Sequence, residues 1–271
     1  ASQTLTVTIN GANDAPVISA SAAASLTESD SVLSATGNLT LTDVDKTNTV
    51  TTGVTVGVSG SGNHSGVPNN AALLSMFVLA GGSLNSSQTS GEMTWTFTGA
   101  NAATFDYLAK GETLVLTYTI RATDSSGGTD SKTVTITVAG TNDSPEISAV
   151  SGDSISAGAA ETNAILSAAG TLTLTDVDYT DTVSSSVVQS VTVGGSAAGF
   201  ALQPSNTDLI AMFKTAGSEI SATETTDKIN WTFNSGASTF DYLAYGQTLT
   251  LTYTIAAADD KSVGTDDNYA A

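Results

Sequence analysis

Cysteine is absent from this chain of 271 residues, histidine occurs once, and Lys and Arg together number seven. Without thiols there are no disulfide staples and no thiolate metal sites. A lone His64, in the segment Gly60-Ser-Gly-Asn-His-Ser-Gly66, leaves no Ser/His/Asp set in either half of the chain, and no phosphate-cradling loop is present. An enzyme is therefore not expected. The few basic residues stand against 26 Asp and Glu, for a net charge of −19. Such a chain repels nucleic acid and anionic membranes, and its natural small partners are cations. Although 40% of residues are hydrophobic, no apolar run approaches the ~20 residues of a membrane helix, so no membrane insertion is expected. Aromatics make up only 6%, and Trp95, Phe97, Trp231 and Phe233 stand in strand patterns as core anchors.

What the chain has in quantity is itself, twice. Leu39-Thr-Leu-Thr-Asp-Val-Asp45 returns as Leu172-Thr-Leu-Thr-Asp-Val-Asp178, an offset of 133. Phe105-Asp-Tyr-Leu-Ala109 and Leu116-Thr-Tyr-Thr-Ile120 return as Phe240-Asp-Tyr-Leu-Ala244 and Leu251-Thr-Tyr-Thr-Ile255, an offset of 135. Asn13-Asp-Ala-Pro16 returns as Asn142-Asp-Ser-Pro145, an offset of 129. A repeat this long implies two matching domains joined near Asn142. Within each, apolar residues alternate with Thr, strictly so in Thr133-Val-Thr-Ile-Thr-Val138. That period of two puts Leu, Val and Ile on a core face and Thr on a wet one. With Gly- and Asn-rich turns between the runs, the expected fold is all-β: two tandem antiparallel β-sandwiches. Ala71-Ala-Leu-Leu-Ser-Met-Phe-Val-Leu79 and Asp208-Leu-Ile-Ala-Met-Phe213 each predict one or two helical turns, capped by Asn70 and Thr207.

Thr4-Leu-Thr-Val-Thr-Ile9 copies Thr133-Val-Thr-Ile-Thr-Val138, the last strand of the first repeat. Residues 1–12 therefore read as the last strand of a preceding or partner domain, 13–141 as the first sandwich, and 142–271 as a second sandwich whose own last strand is missing. Asp267-Asn-Tyr-Ala-Ala271 spliced onto Ala1-Ser-Gln-Thr-Leu-Thr-Val-Thr-Ile9 would complete that second fold. A sandwich short of one strand exposes apolar core and unpaired backbone. The missing strand is expected from the next repeat of a longer chain or from residues 1–10 of an identical subunit.

The acids cluster at strand ends. Asn13, Asp14, Asp43, Asp45 and Asp124 fill these places in the first repeat, and Asn142, Asp143, Asp176, Asp178 and Asp259 in the second. Glu28 matches Glu161, and Asp106 matches Asp241, whereas Glu112 is Gln247 in the second copy. A like-charge pair ~4 Å apart costs on the order of 1–4 kcal/mol, which a hard divalent cation offsets. Calcium takes six to eight oxygens from Asp, Glu, Asn and backbone carbonyls, as a general rule, whereas zinc would want His or Cys.

The Asn-Asp-Ala-Pro start, the Leu-Thr-Asp-Val-Asp strand end, Phe-Asp-Tyr-Leu-Ala-x-Gly and Leu-Thr-Tyr-Thr-Ile together resemble the VCBS repeats of large bacterial RTX-type adhesins and, more distantly, cadherin-like bacterial domains. The resemblance implies immunoglobulin- or cadherin-like sandwiches strung end to end, outside a bacterial cell. It further implies an extender between membrane anchor and adhesive tip, with Ca2+ as cofactor and neighbouring repeats as partners. By the cadherin pattern, Asn142, Asp143, Asp176, Asp178 and Asp259 would bind calcium with Glu28 and Asp106. Asn13, Asp14, Asp43, Asp45 and Asp124 would do so with acids of a preceding domain, while Glu161 and Asp241 would serve a following one. The cadherin linker's longer Asp-x-Asn-Asp-Asn run is missing here, which points to one or two ions per junction. A different class of function, a sandwich binding a glycan or a protein, would rest on Tyr107, Tyr242 or the Thr-x-Thr rows.

Overall fold

Alternation of apolar residues with Thr becomes alternation of buried and wet side chains along the longest strands. The computed structural model describes residues 1–62, 65–217, 219–237 and 239–261. His64 and the segment Asp267–Ala271 lie outside the described residues. The chain divides into two units, Ala1–Phe105 with Gly111–Gly140, and Asp106–Lys110 with Thr141 onward.

In the first unit the strands are β1 (Val17–Ile18), β2 (Ala22–Thr27), β3 (Ser34–Thr42) and β4 (Val50–Ser61), followed by helix α1 (Asn70–Ser75). After the helix come β5 (Phe77–Ala80), β6 (Ser83–Leu84), β7 (Ser90–Thr98), β8 (Thr113–Asp124) and β9 (Thr129–Ala139). They form two sheets, β1-β3-β7-β5 and β2-β9-β8-β4-β6. All pairings are antiparallel except β2 with β9, which run parallel from Ala22↔Val134 to Thr27↔Ala139. A first strand divided between two sheets, one of order A-B-E-D and the other containing G-F-C, is the immunoglobulin-like arrangement. Met93, Trp95 and Phe97 of β7 are buried, as are Leu114, Leu116, Tyr118 and Ile120 of β8 and Val134, Ile136 and Val138 of β9. The two sheets meet through Phe77 and Tyr118, stacked with ring centroids 4.3 Å apart.

The second unit repeats this order with β10 (Glu146–Ser148), β11 (Ser167–Thr175), β12 (Val183–Gly194), helix α2 (Asn206–Met212), β13 (Phe213–Ala216), β14 (Thr226–Asn234) and β15 (Thr250–Asp259). One sheet is complete, β10-β11-β14-β13, but the other holds only β12 and β15. Among the described residues nothing pairs with the second edge of β15, where β9 pairs with β8 in the first unit. Residues 155–160, the counterpart of β2, carry no strand either. A parallel edge strand of that kind has no ladder to join without a β9. Among the described residues, nothing covers the core on that side. Leu249, Leu251, Tyr253 and Ile255 are only half-buried, while their counterparts Leu114, Leu116, Tyr118 and Ile120 are fully buried.

Both short helices form, α1 stopping short of the end of its apolar run, and neither is capped as expected. Asn69 caps α1 by accepting from the Ala72 N–H, and Ser205 caps α2 by accepting from the Asp208 N–H. Asn70 and Thr207 lie already inside the helices. Each helix then gives way to a strand at Phe77 or Phe213, because those rings are drawn into the intersheet stack. The helices are tied down the same way in both units: Tyr118 Oη donates to the Leu73 carbonyl and Tyr253 Oη to the Leu209 carbonyl, each at 2.9 Å.

A glycine faces each tryptophan across the ladder, Gly37 opposite Trp95 and Gly170 opposite Trp231. A Cβ on Gly37 would stand 2.7 Å from the Trp95 ring, and one on Gly170 2.5 Å from the Trp231 ring. Gly37→Ala is thus expected to destabilise the first unit by about 1–3 kcal/mol through overpacking. Urea denaturation checks this, and an unchanged midpoint would show that the ring has room to shift.

Candidate metal centre

Two polar clusters form where β3 and β8, or β11 and β15, reach the end of their sandwich. In the first, Asp43 and Asp45 follow β3 directly and Asp124 is the last residue of β8. The structure joins them to the Asn13–Asp14 segment. Asn13 Nδ2 donates to Asp124 Oδ2 at 3.1 Å, and the Asp14 N–H donates to Asp45 Oδ2 at 2.7 Å. The Asp45 N–H donates to Asp43 Oδ1 at 2.9 Å. Asp124 Oδ1 accepts the N–H groups of Ser126 and Gly128, at 2.8 and 2.9 Å. Desolvation pushes the Asp124 carboxyl up, but the Asn13 amide and the backbone N–H groups of Gly128, Ser126 and Gly127 outweigh it and hold it below its ordinary value.

The second cluster uses matching bonds. Asn142 Nδ2 donates to Asp259 Oδ2 at 3.1 Å, the Asp143 N–H to Asp178 Oδ2 at 2.7 Å, and the Asp178 N–H to Asp176 Oδ1 at 3.0 Å. Asp176 is 2% exposed and Asp178 0%. Burial raises the Asp176 carboxyl to about 7, against the pull of the Asp178 N–H, and the charges of Asp259, Asp181 and Asp143 push the same way as burial. Burial likewise raises Asp178 to about 8, opposed by the Asp143 N–H and reinforced by Asp181, Asp143 and Asp176.

Two members escape a reading of the acids alone, Asn48 and Asp181. Each closes the same turn, with the Asn48 N–H on the Asp45 carbonyl at 3.0 Å and the Asp181 N–H on the Asp178 carbonyl at 3.2 Å. Both are buried. The signal was available: they share the offset of 133 and extend the strand end to Asp-x-Asp-x-x-Asn/Asp. Their chemistry differs. Asn48 Nδ2 donates to Asn13 Oδ1 at 2.6 Å. An ionised Asp181 has no hydrogen to give, and Asn142 Oδ1 is buried with no hydrogen-bond partner among the described residues. Asp43 Oδ2, Asp176 Oδ2 and Asp178 Oδ1 are buried oxygens in the same condition.

Glu28 is buried at the end of β2, with its backbone N–H on the Ala139 carbonyl at 2.8 Å. Asp106 is half-buried in the short segment Asp106–Lys110, and Asp241 is exposed. Glu161 is half-buried, and its Oε1 has no hydrogen-bond partner among the described residues.

Among the described residues, no group of three or more His, Cys, Asp or Glu side chains is placed to hold a metal ion. Part of each donor set is Asn, and several carboxylate oxygens are engaged by backbone N–H groups. What remains, among the described residues, is Asp43 Oδ2, Asn142 Oδ1, Asp176 Oδ2 and Asp178 Oδ1, buried oxygen acceptors without a hydrogen-bond donor. A hard cation supplies the positive charge that such oxygens need. Zinc and thiophilic metals do not fit, since the donors are all oxygen.

No protein-family model matches the chain, that of the VCBS repeats included, and no curated protein matches it. Among solved structures it is similar to the CsuC–CsuE chaperone–tip adhesion subunit pre-assembly complex of the archaic chaperone-usher Csu pili of Acinetobacter baumannii. That likeness has 10% identity and a TM-score of 0.33, over 89% of this chain and 99% of that one. It is also similar to the extracellular cadherin domains 1–4 of protocadherin gamma B7, at 17% identity and a TM-score of 0.34. There it covers 90% of its own length and half of that chain's. With likenesses this distant, the immunoglobulin-like fold rests on the sheet order itself.

Proposed function

We propose that the chain is a structural, calcium-rigidified extender segment of a bacterial secreted or cell-surface adhesin, with neighbouring repeats of the same protein as its partners. The observation that carries this reading is the group of buried oxygens without donors at the start of the second unit: Asn142 Oδ1, Asp176 Oδ2 and Asp178 Oδ1. The proposed ligands there are Asn142, Asp143, Asp176, Asp178, Asp181 and Asp259. Asn13, Asp14, Asp43, Asp45 and Asp124 are their counterparts in the first unit. Glu28, Asp106, Glu161 and Asp241 are proposed to complete the coordination from adjoining domains. A bound calcium ion would neutralise the carboxylates, and the same residues would then hold the linker. The Gly140 N–H is already bonded to the Glu112 carbonyl in the first unit, at 3.0 Å. Asn142 and Asp143 are bonded to Asp259 and Asp178 in the second. Sites of this type bind at roughly 10⁻⁴–10⁻³ M, and so fill outside a cell and empty within it.

Small-angle X-ray scattering in 5–10 mM calcium should give a sharply bounded maximum dimension. Excess chelator should give the smeared profile of a hinged pair. Coincident profiles would overturn the reading. The binding-module alternative gains nothing at Tyr242, which is half-buried against Phe240 with ring centroids 6.4 Å apart and its hydroxyl buried.

A further inference from the structure

We propose that the open cleft of the second unit is a receptor for the N-terminal strand of a second copy of this chain, so that copies join head to tail by strand donation. The cleft encloses about 1040 Å³. Its walls include Leu166, Phe233, Leu249, Leu251, Tyr253 and Ile255. In the first unit the corresponding space is filled by β9, whose Val134, Ile136 and Val138 are fully buried against Tyr118, Leu116 and Leu114. The cleft therefore combines an apolar floor with a strand edge that nothing pairs with among the described residues, and an incoming strand satisfies both.

The occupant is identified by three observations. Residues 4–9 repeat the pattern of residues 133–138, with Leu5, Val7 and Ile9 in the places of Val134, Ile136 and Val138. They form no strand in this molecule, and these apolar side chains are 89%, 74% and 90% exposed. The offset of 129 that relates them continues without a gap through Asn13-Asp-Ala-Pro16 and Asn142-Asp-Ser-Pro145. A donated strand thus reaches its own polar cluster over the same number of residues as β9 does. The pairing of β8 with β9 sets the register: Leu114↔Val138, Leu116↔Ile136 and Tyr118↔Val134 become Leu249↔Ile9, Leu251↔Val7 and Tyr253↔Leu5. Because the donor strand and the cleft are different surfaces of one chain, the contact is heterologous and repeats without limit unless it closes a ring.

The register also fixes a cross-link. Thr117 faces Thr135 in the first unit, so Thr252 should face Thr6 of the donor. With no native cysteine, Thr6→Cys and Thr252→Cys chains report this contact alone. Mixed and oxidised, they should run as a disulfide-linked dimer on a non-reducing gel. The doubly substituted chain should give a ladder of covalent multimers. Adding Val7→Asp to the Thr6→Cys chain should abolish the dimer, with circular dichroism confirming that its sandwiches are intact. Three outcomes would overturn the proposal. One is persistence of monomers with free thiols, as expected if residues beyond 261 or a downstream segment fill the cleft. The second is a disulfide within a single doubly substituted chain, which would mean that the segment fills its own cleft. The third is cross-linking undiminished by Val7→Asp. Run in calcium and in chelator alike, the assay separates strand donation from the calcium reading: loss of the dimer in both conditions leaves that reading untouched.

Discussion

Replacing Asp181 by Asn is expected to stabilise the calcium-free second unit by about 1 kcal/mol and to remove most of its response to calcium. The amide restores the donor that Asn48 offers Asn13 in the first unit, and a net contribution of about 1 kcal/mol is typical of one such bond. It also removes one charge from a site where Asp176, Asp178 and Asp181 are all buried. For the unaltered chain, a ligand at about a hundred times its dissociation constant stabilises by ~2.7 kcal/mol. In 10 mM calcium the second unit should then melt about 10 °C higher than in chelator. Calorimetry of both proteins with and without calcium decides the matter. If Asp181→Asn lowers the melting temperature equally in both conditions, the side chain serves packing and not an ion.

The same cluster sets a pH dependence with a definite sign. Asp176 and Asp178 titrate near 7 and 8 when folded, far above the ordinary 3.8 of an aspartate. Without calcium the folded state therefore binds more protons than the unfolded one. The stability they contribute is complete below about pH 4 and is lost as pH rises through 7 to 8. Asp153, held down chiefly by the Lys228 ammonium, and Asp260, held down chiefly by the Thr182 N–H, both titrate below that window. The ion-free second unit should be more stable at pH 5 than at pH 9, and the increment from calcium should grow over the same range. Equal increments at both pH values would dissociate these two carboxylates from the ion.

The second large effect contrasts the two halves of the molecule. Leu116→Ala should cost about 3 kcal/mol, because Leu116 is fully enclosed between two complete sheets and its loss leaves a cavity. Leu251→Ala, the same change at the matching place, should cost about 1 kcal/mol or less. Leu251 lies half-buried on the wall of the open cleft, where the removed methyl groups were already near water. Urea unfolding of the two variants measures the difference. Equal costs would show that the cleft is closed in solution.

The repeat, the strands and the polar ends of the sandwiches could all be read from the residues, because each rests on a short periodic pattern that the fold obeys locally. Leu-Thr-Leu-Thr alternation survives as strand, and the paired Asp residues after β3 and β11 do turn toward the Asn-Asp segments. The features that were missed depend on distant partners. Nothing local marks Phe77 as the point where helix yields to strand; the cause is Tyr118, forty-one residues away in sequence and 4.3 Å away in space. Asn48 escaped because an uncharged side chain three residues beyond a pair of acids looks like part of an ordinary turn. Only its bond to Asn13 places it in the cluster.

The parallel pairing of β2 with β9 bears on how such a unit carries load. The chain enters the first sandwich ahead of β2 and leaves it from the end of β9. Tension along the chain therefore draws β2 backward and β9 forward. Because the two strands point the same way over six residue pairs, from Ala22↔Val134 to Thr27↔Ala139, the pull slides one along the other. Their hydrogen bonds are strained together instead of parting one after another from an end, and failure must be collective. A sandwich whose terminal strands were antiparallel neighbours, pulled at their shared end, would peel open under far less force.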